Sequence, residues 1–242
     1  RWKGLLNNLR NEAERIGYQT ELFVLNASHY GVPQARERMF LVGLKEGEIG
    51  EPPRTTELSP KTVREALAEL PTFGSKGNDS ICTAKITPAK NPILRKSPYA
   101  GMLFNGQGRP LNVDAPALTL PASMGGNRTP IIDQYDLQNE GESWIVKYHA
   151  SLMNGGKPSV SVPRSLRRIT VEEAAAIQSF PPNINFHGAQ TSKYRQIGNA
   201  VPPLLAFHVA QAVGKALNRK RGDKIDENGE REFSRTLARN IV

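Results

Sequence analysis

Gln34, Arg36 and Arg38 stand at alternate positions in the string NASHYGVPQARERMFLVG, just ahead of an apolar run. Alternate side chains of an extended chain share one face, so two guanidiniums and an amide are presented together. Planar forks of N–H donors on one face suit carbonyl oxygens and oxyanions. The competing reading is a solvated strand edge whose arginines pair with Glu37 or other acids. A second constellation is GNAVPP, where Gly198 and Asn199 precede a Pro-started helix. Asn tolerates unusual backbone geometry and a helix start offers free N–H groups; an ordinary helix-initiating turn has the same look. A third is MGGNRTP. Gly125 and Gly126 allow close backbone approach, Arg128 could read guanine through paired donors, and Thr129 could touch a base or a phosphate. A plain surface turn reads equally well.

The elements that must position these groups follow from patterning. Residues 3–16 predict an amphipathic helix with Leu5, Leu6, Leu9, Ala13 and Ile16 on one face, ended by Gly17. ELFVLN (21–26) and RMFLVGL (38–44) predict strands. The Pro-rich stretch 51–60 is an exit linker, and a helix follows at 62–70 with Thr62 and Glu65 placed for a capping box. From Pro71 to Pro163, Gly, Pro, Asn, Ser and Thr punctuate brief apolar pieces such as ALTL and WIVKY. This texture predicts an irregular, β-containing small domain whose long loops have a task. Regular pattern returns at Arg168. TVEEAAAIQSF (170–180) opens with a second Thr-x-x-Glu box, and its three alanines suit close packing. A last helix is expected from about Pro203 to Asn218, with Leu205, Val209, Ala212, Val213, Ala216 and Leu217 on one face. The charged, apolar-poor tail 219–242 is expected to fray.

The chain has 242 residues and a formal charge of +9. Most of the excess lies between Lys85 and Arg168, the segment richest in loops, so a polyanionic partner is plausible. No apolar run approaches the ~20 residues of a membrane span, and no metal-ligand spacing occurs. The single cysteine, Cys82, excludes an internal disulfide framework and suits a reducing cytoplasm.

NASHYGVPQARERMFLVG (26–43), RRITVEEAAAIQSFP (167–181) and YRQIGNAVPPLLA (194–206) together, in this order, resemble the last motifs of the DNA cytosine-5 methyltransferases. GQGRPLNVDAPALTLPASMGGNRTPIID (106–133) resembles the recognition sequence of bacterial members. The resemblance covers roughly residues 1–215. It implies an α/β fold: the C-terminal part of an S-adenosylmethionine-dependent, Rossmann-like sheet, plus a small irregular target-recognition domain. The implied division is 1–58 for the end of the catalytic domain, 59–166 for recognition, 167–218 for helices returning to the catalytic domain, and 219–242 for the tail. It further implies that Arg38 meets the cytosine carbonyl or the catalytic carboxylate, with Arg36 and Gln34 in support. Asn199, Ala200 and Val201 would line the S-adenosylmethionine pocket. Arg109, Asn127, Arg128, Thr129 and Arg168 would contact double-stranded DNA.

What the sequence lacks matters as much. Carbon 5 of cytosine is not nucleophilic until a thiolate adds at carbon 6. In the family that Cys follows Pro, and a Glu-Asn-Val string and a Gly-rich cofactor turn accompany it. None of these is present, and Cys82 sits in DSICTAKI with no preceding Pro. The expected partner is therefore an N-terminal catalytic half, on a longer chain or a separate subunit, and this chain alone is expected to be inactive. The alternative is a DNA-targeting module that adds nothing to an active site; Arg36, Arg38 and Asn199 argue against it.

Overall fold

The computed structural model of the chain describes residues 2–220. Helix α1 (Trp2–Arg15) leads to strand β1 (Gln19–Asn26). A 3-10 turn at Ala27–Tyr30 precedes the short strand β2 (Gln34–Ala35) and then β3 (Glu37–Leu44). Next come α2 (Val63–Ala68), β4 (Pro88–Ile93), β5 (Met102–Phe104), β6 (Ala117–Leu118) and β7 (Ile131–Asp133). After these come α3 (Gln134–Leu137), α4 (Trp144–Met153), β8 (Leu166–Arg168) and α5 (Val171–Ile177). The last two helices are α6 (Gln190–Asn199) and α7 (Pro203–Lys220). Of the charged tail, only Arg219 and Lys220, which end α7, fall within the described residues.

β1 and β3 pair antiparallel along their whole length, with Leu25 opposite Arg38. Paired residues share a side, so Phe23, Leu25, Phe40, Val42 and Leu44 form one apolar face. That face packs on Leu205, Val209, Ala212, Val213 and Ala216 of α7, the face expected from their helical spacing apart from Leu217, which is half exposed. The opposite side is bare: Val24 and Met39 face each other across the pair at 63% and 61% exposure. Leu5, Leu9 and Ile16, at the end of α1 and along it, are at least half exposed too.

The described residues hold no continuous sheet of more than two strands. The strands form four two-stranded pairs, and only β2–β6 is parallel. The link from β1 to β3 is too short for a crossover helix, so those strands can only run antiparallel.

Two further cores lie beyond the hairpin. The larger joins Val63 and Leu67 of α2, the run Leu111–Leu120, Val171–Ile177 of α5, and Tyr194 and Ile197 of α6. It crosses position 166, where a domain boundary was expected. The smaller gathers Leu103, Phe104, Ile131, Ile145, Tyr148, Leu152 and Leu166. WIVKY, read from sequence as a piece of a β-containing region, begins helix α4. Its buried residues Ile145, Tyr148, His149 and Leu152 recur at helical spacing, and Asp133 Oδ2 accepts from Trp144 N at 2.8 Å at its start. A short apolar run is ambiguous between the two states. Helix α6 was not foreseen, since only Tyr194 and Ile197 mark its buried side.

Both capping boxes form. Thr62 accepts from Glu65 N while Glu65 accepts from Thr62 N, and Thr170 and Glu173 do the same. Each cap is worth about 1 kcal/mol. Residues Gln190–Asn218 have the composition and length of a membrane span. The backbone breaks there, however: Ala200 is extended (φ −67°, ψ 152°) and two prolines follow. The result is two helices, the second applied to the hairpin.

Candidate functional site

The side chains of Gln34 in β2 and of Arg36, between β2 and β3, point into the molecule. Gln34 is fully buried, and Arg36 is 2% exposed. β2 lies parallel to β6, with Gln34 opposite Ala117, which brings the run 117–122 alongside. Arg36 Nη2 donates to Gly198 O at 2.6 Å, and Nη1 donates to Leu120 O at 3.1 Å. Gln34 Oε1 accepts from Leu120 N and from Arg36 Nη1. Among the described residues no carboxylate offsets this buried cation, and its Nε has no partner; its charge is spread over carbonyl dipoles. Arg36 is thus an interior tie holding the 34–36 segment, the run after β6 and the C-terminus of α6 together.

Arg38 differs. It is half-buried on the inner face of the hairpin, and burial pushes its guanidinium pKa down. It donates to Glu37 O at 2.7 Å; its remaining donors have no partner among the described residues. Gln34 and Arg36 are sealed in the interior, and of the three only Arg38 reaches solvent with donors to offer.

The turn 199–201 ends α6. Asn199 and Val201 are exposed and Ala200 is partly so. Gly198 is pressed against the 121–122 backbone: a Cβ there would stand 2.6 Å from Ala122 Cα and 2.7 Å from Pro121 O. Only glycine allows this approach. The turn is also held from behind by Gln178, just past α5, whose Nε2 donates to Ile197 O and Ala200 O, both at 3.0 Å.

The loops 105–109 and 123–129 lie side by side. Gly108 N donates to Asn127 O at 3.0 Å, and a Cβ on Gly106 would collide with the Asn127 side chain. Arg109, Asn127 and Arg128 are exposed along this pair of loops, with Arg128 loosely tied to Ser123 Oγ at 3.3 Å. Thr129 and Arg168 were expected to reach DNA as well, and their placement corrects that expectation. Thr129 is fully buried, its hydroxyl accepting from Gly125 N at 2.9 Å. Arg168 is 2% exposed and donates to three carbonyls: Thr129 O, Ala84 O and Lys85 O. Burial lowers its pKa. A buried guanidinium needs acceptors, and Arg168 has found them in the backbone that supports the loops. Arg167 likewise points inward, paired with Glu173 through two 2.7 Å bonds and lying over the Phe73 ring.

Cys82 is buried beneath the second loop, 3.5 Å from Thr129 Oγ1, away from the Arg38 face. An apolar groove runs along α5 and the start of α7, lined by Phe180, Phe186, Leu204 and Phe207; no arginine opens into it.

Residues 2–215 match the family model of the C-5 cytosine-specific DNA methylases. The chain belongs to that family. Among its curated relatives, a type II methyltransferase of Haemophilus parahaemolyticus, M1.HphI, is 31% identical over 218 residues. That match takes in 86% of this chain and 51% of the relative. M.AplI of Arthrospira platensis is 29% identical, over 89% of this chain and 53% of its own length. The chain thus spans about half the length of the relatives it matches. Among solved structures, the Dnmt2 methyltransferase of S. pombe superposes with a TM-score of 0.58 at 15% identity, over 88% of this chain and 62% of the other. At that identity the likeness speaks for the fold alone.

Within this methylase frame, Gln178 and the 120–122 run are site components that motif reading did not single out. The only hint of Gln178 was a lone amide at the end of an otherwise small-residue helix.

Proposed function

We propose that this chain is the recognition half of a DNA cytosine-5 methyltransferase, acting on a specific site in double-stranded DNA. The observation that carries the reading is the convergence of the three motif strings on one centre: Arg36 joins the first to the third, and Gln178 joins the second to both. A module that only tethered a partner to DNA would have no use for it.

In this reading Arg38 turns its unused donors to the carbonyl of an extruded cytosine, or to the carboxylate that holds the ring. A charge-assisted bond made to developing charge in the transition state lowers the barrier directly. Arg36 and Gln34 keep that strand in place. The turn 199–201 fits as one wall of an S-adenosylmethionine pocket, since Asn199 and Val201 present exposed side chains on a turn locked from behind. The cofactor would supply the electrophilic methyl group. Arg109, Asn127 and Arg128 face DNA from the paired loops, while Thr129 and Arg168 stiffen the loops from within. Segment 59–166 sets the recognised site, and DNA as substrate puts the protein in the cytoplasm.

The nucleophile must come from elsewhere, because the one cysteine is buried under the second loop and no Glu-Asn-Val or Gly-rich cofactor string is present. An N-terminal catalytic half, on the same longer chain or as a partner, supplies them. The bare apolar faces of the hairpin and of α1 are suited to receive it.

The test is transfer of tritiated methyl from S-adenosylmethionine to DNA, with this chain alone and with the N-terminal half added. Background counts alone and site-specific transfer when completed are expected, unchanged by Cys82→Ala. Exchange of residues 71–163 for those of another family member should move the methylated site. Turnover by the chain alone, or a chimera that keeps the original site, refutes the reading.

A further inference from the structure

Five hydrogen bonds of the Gln34 and Gln178 amides meet behind the site, and their polarity is forced. Ile197 O and Ala200 O both require a donor, so Gln178 must turn Nε2 toward them and Oε1 away. Oε1 then accepts from Gln34 Nε2 at 2.6 Å, which leaves Gln34 Oε1 for Leu120 N and Arg36 Nη1. Both glutamines are fully buried, so water cannot substitute for either. Every donor and acceptor of the Gln178 amide is engaged with a different part of the site. One arm reaches the strand that carries Arg36 and Arg38, and the other reaches the turn that carries Asn199 and Val201.

We propose that Gln178 is a positioning residue for methyl transfer, setting the distance between the arginine strand on the base side and the 199–201 turn on the cofactor side. This rests on the functional reading above. Gln178 touches neither substrate; it works through Gln34 and through two carbonyls. Apolar replacement frees both sides to drift, and a drift of an ångström between reacting groups costs about 100-fold in rate. DNA binding, by contrast, depends on the exposed loops, which Gln178 does not touch.

The test uses the complete methyltransferase that contains this chain, with Gln34→Met, Gln178→Met, the double variant and Gln178→Glu. Methyl transfer, KM for S-adenosylmethionine, Kd for the cognate duplex and thermal unfolding are measured for each. Each single Met variant is expected to lose about 30-fold or more in kcat, with Kd for DNA within about threefold. The double variant is expected to lose no more than about twofold beyond the worse single, because both break one chain of bonds. Gln178→Glu supplies a signature that unfolding cannot imitate. A protonated carboxyl can still accept from Gln34 and donate to a carbonyl, whereas a carboxylate facing Ile197 O and Ala200 O cannot. Its kcat relative to wild type should therefore rise at least about tenfold from about pH 8 to about pH 6. Multiplicative losses, DNA affinity falling in step with turnover, or a flat pH ratio for Gln178→Glu overturns the proposal. An inactive complete wild type would instead refute the functional reading itself, before any variant is compared.

Discussion

Gly198 and Gly214 both lie in helices, and replacing each by alanine makes the same chemical change with opposite expected signs. A helix-interior glycine costs about 0.5–1 kcal/mol relative to alanine. At Gly214 in α7 nothing lies within 4 Å of an added Cβ, so the full gain is kept. At Gly198 the same Cβ meets Ala122 Cα at 2.6 Å, Pro121 O at 2.7 Å and Ala122 N at 2.8 Å. These are backbone atoms, which cannot rotate aside. Overpacking of this kind costs about 1–3 kcal/mol. The relieving shift also draws Gly198 O away from Arg36 Nη2, and a hydrogen bond to a charged group is worth about 1.5–3 kcal/mol. Set against at most ~1 kcal/mol of helix gain, the net is a loss of about 1.5–5 kcal/mol. At ~2–4 °C per kcal/mol for a unit of this size, Gly198→Ala should unfold about 3–20 °C below wild type. Gly214→Ala should unfold roughly 1–4 °C above it. Differential scanning calorimetry of the complete protein reads both. A Gly198→Ala midpoint within about 2 °C of wild type would refute the argument, because α6 could then not be seated on the 121–122 backbone as described.

Three further outcomes are expected. Arg38→Ala should lower methyl transfer by the complete enzyme about 100-fold or more while changing DNA affinity only a few-fold; equal losses in filter binding and turnover would put Arg38 on the phosphate backbone. Arg128→Ala should relax preference at a single base pair by about 1–3 kcal/mol, read from methylation of a randomised-site library, and an unchanged site profile removes it as a reading residue. Asp114 accepts from Arg64, which holds its carboxyl below the ordinary 3.8. A depressed carboxylate contributes stability that is complete above its unfolded pKa and is lost as pH falls through the folded one. Urea midpoints of wild type and Asp114→Asn should therefore differ at neutral pH and converge as acid protonates the depressed carboxylate; a difference that persists in strong acid excludes the Arg64 tie as its source.

What could be read from the sequence was what is written locally. The two Thr-x-x-Glu caps, the paired strands before and after the QARER string and the apolar face of α7 each depend on neighbours a few residues apart, and each is found in place. The three motif strings led to the family, which the match over residues 2–215 shows. The misplaced features depend on partners far along the chain. Arg168 and Thr129, basic and polar in a loop-rich stretch, read as solvent-facing. Nothing nearby announced that Ala84 O and Lys85 O would satisfy Arg168 in the interior, or that Cys82 would lie against the Thr129 hydroxyl. Gln178 carried no periodic signal, and its partner Gln34 is 144 residues away. Trp144–Tyr148 was too short an apolar run for its period to be decided without the surrounding core.

The distances along the chain between bonded groups bear on how the protein is made. Arg36 reaches Leu120 across 84 positions and Gly198 across 162. Closing such loops adds little at equilibrium, about 0.6 kcal/mol per doubling of length, but contacts of this separation form late in folding. The hairpin leaves the ribosome well before α6 is synthesised. Until then the Arg36 guanidinium lacks the Gly198 carbonyl that helps to bury it, and the strand that bears it has no reason to leave water. Synthesis past Ala200 is what allows that cation to be sealed in. A chain stalled or clipped before that point would keep an open, hydrated centre, marking it out to proteases from the finished protein.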